Sequence, residues 1–425
     1  MTIGGGEGPA VFDHLFGHAY MVRRWRQGPS YSERIEFLEH LARLDYARRT
    51  LKLTAYLLLG VVEYLPLERH ARVTVPEICK AARKWRRRPL LAGPAALTQS
   101  GAGHFMRVAK AWFMFLGRLY QPPRPPGAFD AKIADFVRWM REERGLMPGS
   151  VATFQSQIVR FLEWWNHRSA RLTHVAAADV DAYFNSARCQ QLSRKSIALA
   201  AHALRTFFRF ANNRGWCETD IASGIDRPPV YRHSGIPLGP TWKEVRRLID
   251  STVGNKPTDM RSRALFLLLA TYGLRVGEVA HLTLDDLDWE HELIRVNRGK
   301  GRRMASYPMT TEVGLALARY IRSVRPRVSR REVFVTLVAP FRPLNAKACG
   351  RITSRRFGQL DIQSTRHGPH ALRHACATHL MQQGASLKEI ADQLGHRSLM
   401  TTGIYAKVDM NALRNVADFD LKGLA

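Results

Sequence analysis

The chain is poor in cysteine, with five in 425 residues (Cys79, Cys189, Cys217, Cys349 and Cys376) and no C-x-x-C pair. That excludes a disulfide framework and a zinc site built on cysteines, and it makes reduced thiols in a cytoplasm the expectation. Long apolar runs are also missing. The most apolar stretch, Thr54 to Leu65 (TAYLLLGVVEYL), contains Glu63 and falls short of the roughly 18 residues a membrane span needs, so it predicts a buried helix. No signal peptide or lipidation motif is found, which argues against membrane attachment. Acidic residues are scarce beside basic ones: 36 Asp and Glu against 65 Lys and Arg, a formal net charge of +29. An excess of this size fits an anionic polymer as partner, most simply nucleic acid. What is plentiful is hydrophobic material, 45% of the residues, and the length predicts two or three domains.

Two stretches read as linkers. Gln121 to Gly127 (QPPRPPG) has four prolines, which fix φ and remove donors. Asp226 to Pro240 (DRPPVYRHSGIPLGP) is of the same kind. They leave three pieces, 1–120, 128–225 and 241–425. The middle piece is helical by periodicity over Ala131–Arg144, Gly149–His167 and Ser193–Arg214, and Leu172–Phe184 predicts a short helix entered from a Thr.

The first piece echoes the middle one. Residues 50–65 lie over 150–165, with Glu63 over Glu163; 72–85 lie over 171–184, and 112–119 over 207–214. Identities are few, and amphipathic helices resemble each other by default, so duplication and coincidence stay level here. The first piece also holds a basic run, Lys80, Arg83, Lys84, Arg86, Arg87 and Arg88, with Trp85 inside it. A solvated face and a DNA-backbone contact are both open for this run.

The third piece begins with a helix over Thr241–Ser251 and an apolar helix, ALFLLLATYGLR (264–275). Alternation then predicts a β-hairpin, ELIRVN (292–297) and RMASYPM (303–309), around the turn RGKGR. Helices dominate the remainder.

Six residues in this piece carry types suited to a phosphodiester. In GPHALRHACATHLMQQG, His370 and Arg373 stand at i and i+3 in the first turn of a helix opened by Pro369, where backbone N–H groups favour an anion. H-x-x-R alone is a weak motif. The next helix starts with a capping box, Ser386 to Glu389, and stops at Gly395, with His396 following. The two helices also scan as helix–turn–helix, the signature of a non-catalytic DNA-binding regulator. Upstream, Arg275 follows a Gly where the apolar helix breaks, and Glu278 is spaced to orient its guanidinium. Lys300 sits in the hairpin turn. Tyr405 comes nine residues after His396, in LGHRSLMTTGIYAKV.

Taken in order, GLRVGE, GKG, HALRH, LGHRS and TTGIYAKV resemble the tyrosine recombinase, or phage integrase, family over about 236–410. The resemblance implies a mainly α, multidomain protein: one or more helical core-binding (SAM-like) domains, then an α+β catalytic domain with a small hairpin or sheet. It implies a site-specific recombinase whose catalytic residues are Arg275, Lys300, His370, Arg373, His396 and the nucleophile Tyr405. The expected partner is double-stranded DNA, bound by a homotetramer on two sites that exchanges strands through a Holliday junction, with accessory recombinases or directionality factors as further partners. No cofactor and no metal are expected, since no acidic cluster suited to Mg²⁺ accompanies these residues. A type IB topoisomerase would share the chemistry. The extra piece 1–120 favours a mobile element, by integration or transposition. Tyr307 and Tyr320 are the next candidates for nucleophile should Tyr405 not serve.

The chemistry needs these types. A phenol can attack phosphorus and later leave, so its ester keeps the bond energy for rejoining. Arginines hold non-bridging oxygens without losing their own charge. Lys300 would protonate the leaving 5′ oxygen, His370 accept the tyrosine proton, and His396 hydrogen-bond the phosphate.

Overall fold

A computed structural model describes residues 15, 19–66, 68, 71–87, 101–122, 126–217, 221–226, 239–298, 304–362, 364 and 367–395. Arg88, Lys300, His396 and Tyr405 lie outside the described residues, as does most of the stretch 226–240. The chain divides into two units, one made of 1–121 with 235–425 and the other of 122–234.

Residues up to 120 close on a core of their own. The helices are α1 (Ala19–Gln27), α2 (Tyr31–Arg43) and α3 (Arg48–Tyr64). Strand β1 (Val73–Thr74) leads into α4 (Val75–Arg86), and α5 (Gly101–Phe115) into β2 (Leu119–Tyr120), which pairs with β1 in parallel. Helix α3 contains the apolar stretch seen in the sequence and buries Leu58 and Val61 completely. Arg34 is fully buried. It donates to the carbonyls of Trp25, Gly28 and Pro29 at 2.7–2.8 Å and lies 4.3 Å over the Trp25 ring, tying α1 to α2. Burial pulls its pKa down to about 10, countered by Tyr31 and Glu33.

The second unit comprises α6 (Asp130–Glu142), α7 (Pro148–Asn166), α8 (Ala177–Phe184), α9 (Ala187–Gln190), α10 (Arg194–Asn213) and α11 (Ile221–Gly224). Its core is aromatic: Phe136 meets Phe207 edge-on at 5.3 Å, and Phe161 meets Phe208 likewise at 5.6 Å. The short helix differs from the expected one. Leu172–His174 is a 3₁₀ turn, and α8 is entered from Ala176, whose N–H donates to Asp179 at 2.9 Å. The carboxylate three residues on supplies the cap, so no hydroxyl is needed at the entry.

From 241 onward, α12 (Trp242–Asp250) starts at Thr241, whose hydroxyl and N–H form a capping box with Glu244. Helix α13 (Pro257–Thr271) is apolar around its whole circumference in its second half and buries every residue from Ala264 to Ala270. A helix apolar on all faces belongs at the centre of a core. Around it stand α14 (Val276–Ala280), the antiparallel sheet β3 (Leu287–Asp288), β4 (Leu293–Asn297) and β5 (Met304–Pro308), α15 (Thr311–Ser323), α16 (Ala346–Gln359), α17 (Pro369–Gln382) and α18 (Leu387–Leu394). The hairpin pairs Leu293 with Pro308 and Asn297 with Met304. Helix α18 packs on α17 through Ile390 and Leu394 against Ala377 and Met381. Among the described residues no helix is long and apolar enough to cross a membrane.

Candidate active site

Arg275 sits where α13 has ended and α14 begins. The break is made by Gly273 at φ +59, a conformation that costs an L side chain about 1–2 kcal/mol. A Cβ there would also lie 2.4 Å from Leu394, so the position needs glycine for space as well as for φ. As N-cap residue, Arg275 donates its backbone N–H to Glu278 at 2.7 Å, and its Nη1 meets the other oxygen of the same carboxylate at 2.9 Å. The Glu278 side chain is only 6% exposed, whereas that of Arg275 is 47% exposed. The carboxylate is thus a buried anchor, and the guanidinium is held at the surface in one orientation. Its Nη2 reaches the carbonyl of Gly395 at 3.2 Å.

Arg373 behaves differently although it is one turn from His370. It is buried, 3% exposed, and donates to the carbonyl of Gly273 at 2.6 Å and to that of Leu394 at 2.7 Å. His370 is exposed on the first turn of α17, its ring 4.6 Å from that of His374. The i, i+3 spacing therefore does not put both side chains at one surface: the guanidinium turns inward to bridge two backbone segments.

A third arginine joins them. Arg298, at the end of β4, donates Nη2 to the carbonyl of Gln393 at 2.6 Å, and Tyr307 from β5 donates its hydroxyl to the same oxygen at 2.8 Å. The Arg298 guanidinium lies 5.1 Å over the Tyr307 ring. Burial lowers its pKa; Glu278 raises it and Arg275 lowers it further. Three successive carbonyls, of Gln393, Leu394 and Gly395, are thus each held by an arginine. They are the orphan acceptors at the C-terminus of α18, where the helix dipole concentrates negative charge, so cations and donors are favoured there. Gly395 closes the helix at φ +63, and a Cβ on it would fall 1.6 Å from Arg298 Nη1. His396 is the next residue in the chain.

Sequence reasoning missed Arg298, and it offered Tyr307 only as a reserve nucleophile, not as a donor to the Gln393 carbonyl. The only signal for Arg298 was its place two residues before Lys300 in a hairpin; nothing in the pattern said that it points back into the fold. Tyr307 and Tyr320 are both buried, at 4% and 0% exposure. The Tyr320 hydroxyl accepts the Val335 N–H at 3.3 Å, and burial raises its pKa. Neither phenol is open to attack a phosphate.

Of the N-terminal basic run, Lys80, Arg83, Lys84, Arg86 and Arg87 are exposed, but Trp85 is not part of their face. It is 4% exposed, packed against Phe105 and above Gly60. Helical periodicity explains this: Trp85 shares a side with Ile78, Ala81 and Ala82, opposite the cations.

Residues 241–412 match the phage integrase family, and residues 133–215 match the phage integrase N-terminal SAM-like domain. The protein y4rA of Sinorhizobium fredii, which bears the name integrase/recombinase, is 34% identical over 294 residues, 69% of this chain and 71% of its own length. Tyrosine recombinase XerC of Lacticaseibacillus casei is 30% identical over 67% of this chain and 96% of its own. Among solved structures, the recombinase XerH bound to palindromic difH substrate shares the fold, with a TM-score of 0.52 and 19% identity over 68% of this chain and 84% of that one.

Proposed function

Because the chain belongs to the phage integrase family of tyrosine recombinases, and so is a site-specific recombinase, we propose that it cuts and rejoins double-stranded DNA through a covalent 3′-phosphotyrosyl intermediate on Tyr405. The observation that carries the reading is the convergence of Arg275 and Arg373, remote in sequence, on the adjacent carbonyls of Gly395 and Leu394, directly before His396. The end of α18 is delivered to two arginines, and the second histidine is the next residue in sequence. The net charge of +29 and the DNA held by XerH in its substrate complex support the choice of polymer.

In this mechanism the Oη of Tyr405 attacks phosphorus while its proton passes to His370. The bond from phosphorus to the 5′ oxygen breaks, and Lys300 gives that oxygen a proton, so the strand leaves as a 5′-hydroxyl. Arg275, oriented by Glu278, holds a non-bridging oxygen, and the fixed charge of Arg373 stabilises the phosphorane. His396 donates to the same phosphate. Rejoining is the reverse: a 5′-hydroxyl attacks the phosphotyrosine, and the phenolate recovers its proton. The bond count is conserved, so neither ATP nor water is consumed. The mobile-element role and a tetramer on two sites complete the proposal.

The test is a library of nicked duplexes with randomised sites, in which the excised fragment diffuses away and traps the adduct. Wild-type protein is expected to give a covalent adduct mapped by peptide sequencing to Tyr405, and Tyr405→Phe none. An adduct of undiminished yield with Tyr405→Phe would falsify the assignment.

A further inference from the structure

The region up to residue 120 and the unit 122–234 repeat one helical plan. Helices α2 and α6 are both 13 residues long, and α3 and α7 follow them after short turns, with 17 and 19 residues. At an offset of 99 the buried Phe37 and Leu41 of α2 fall on Phe136 and Met140 of α6. At an offset of 100 every buried residue of α7 falls on a buried residue in or just after α3, from Leu51 on Val151, through Val62 on Leu162, to Leu65 on Trp165.

The later elements agree in their local bonds. The N–H of Thr74 donates to Glu77 at 2.7 Å, and the N–H of Ala176 donates to Asp179 at 2.9 Å, opening α4 and α8. Helices α5 and α10 end alike. Gly117 and Gly215 take φ +67 and +66, and the next residues, Arg118 and Trp216, donate back to Phe113 and Ala211. Amphipathic helices match by chance in periodicity, but not in helix order, entry bond and terminal motif together. The copies also differ: α1, Arg34 and the β1–β2 pair have no counterpart among the described residues of the second unit.

We infer that residues 19–120 are a second core-binding module, and that the exposed face of α4 lies along a DNA backbone. The inference rests on the DNA reading above. Lys80, Arg83, Lys84 and Arg87 occur at i, i+3, i+4 and i+7, one stripe opposite the buried stripe of Ile78, Ala81, Ala82 and Trp85. Among the described residues none of the four forms an ion pair, and the one acid of α4, Glu77, is spent on its cap. The stripe is about 10 Å long at 1.5 Å per residue. One DNA strand presents a phosphate about every 3.4 Å along the axis, so about three phosphates face it.

The experiment uses the full chain with Lys80→Gln, Arg83→Gln, Lys84→Gln and Arg87→Gln combined, all at exposed positions, and circular dichroism confirming an unchanged fold. Binding to random-sequence duplex is followed against salt by anisotropy. At about 0.9 per phosphate, the slope of log affinity against log salt is expected to become shallower by about 2 to 3. In the wild-type protein, duplex DNA is expected to protect Lys80 and Lys84 from acetylation, read by mass spectrometry, in step with saturation. An unchanged slope with both lysines fully reactive in the complex overturns the inference. Protection by anionic phospholipid vesicles or by a second copy of the chain, but not by DNA, overturns it in favour of a membrane or protein partner. The adduct assay separates the two levels: loss of adduct formation in wild-type protein counts against the recombinase chemistry and leaves slope and protection to decide this face.

Discussion

Arg298 Nη2 lies 2.6 Å from the carbonyl of Gln393, so the β-hairpin that carries Lys300 is pinned to the end of the helix that leads into His396. The bond joins two segments 95 residues apart in sequence. It ties the end of β4, two residues before Lys300 in the chain, to the end of α18, three residues before His396.

Replacing Arg298 with Met keeps the apolar stem and removes the bond. A charge-assisted bond contributes about 1.5–3 kcal/mol, but burying a guanidinium costs a comparable amount, so net stability is expected to change by no more than about 1 kcal/mol. Function responds differently: the adduct is expected to form at least about tenfold more slowly, since a misplacement of about 1 Å can cost about a hundredfold. Single-turnover cleavage at the wild-type rate would remove the coupling claimed here.

Gly395 and Arg298 are expected to be coupled in stability. Gly395→Ala meets both the left-handed backbone and the Arg298 guanidinium, and overpacking plus φ strain is expected to cost about 2–4 kcal/mol. In an Arg298→Ala background only the backbone part remains, about 1 kcal/mol. Denaturant unfolding of the four proteins in the cycle measures this, and simple additivity counts against the contact.

A general acid is dispensable when the leaving group needs no proton. Lys300→Ala is therefore expected to cleave a normal phosphodiester slowly, by a factor of about 10²–10⁴, and to recover on a 5′-bridging phosphorothiolate. Equal defects on both substrates would leave Lys300 as a phosphate ligand.

The thiols give a pH dependence. Burial pushes Cys376 up to about 12, and Cys217 and Cys349 up to about 11, from an ordinary value of 9.0. A raised thiol pKa means that the unfolded chain ionises first. The stability held by the neutral thiols is thus complete below about pH 9 and declines as pH rises through about 11 and 12. Unfolding midpoints are expected to fall above about pH 9. Iodoacetamide at about pH 8 is expected to reach the half-buried Cys79 before these three; prompt native-state labelling of Cys376 would contradict its burial.

Much of the architecture was legible in the sequence because it depends on local rules. Periodicity placed α6, α7 and α10 within two residues, alternation placed the hairpin, and Thr241 and Ser386 opened their helices where a hydroxyl precedes a carboxylate by three. Periodicity could not set the register of the internal repeat. The pairing of 50–65 with 150–165 has the offset found in the structure. The other two, 72–85 with 171–184 and 112–119 with 207–214, stand three residues away from the register of the caps and terminal glycines. Three residues turn a helix by about 300°, which returns the apolar stripe to within about 60° of itself, so the pattern hardly registers the slip.

The sequence by itself determined which chemical types the candidate site offers and in what order, because residue identity and near-neighbour spacing are all that a motif needs. Only the tertiary structure decided where the described side chains, Arg275, His370 and Arg373, point. His370 and Arg373 share a turn, yet one is exposed and the other buried, because orphan carbonyls at Gly273 and Leu394 draw the guanidinium inward. Trp85 stands within a basic run and is core all the same, because a helix gives neighbours in sequence opposite faces. The hold of Arg298 on Gln393 joins segments whose separation no local rule spans: a lone acceptor at a helix end takes whichever donor the fold brings to it.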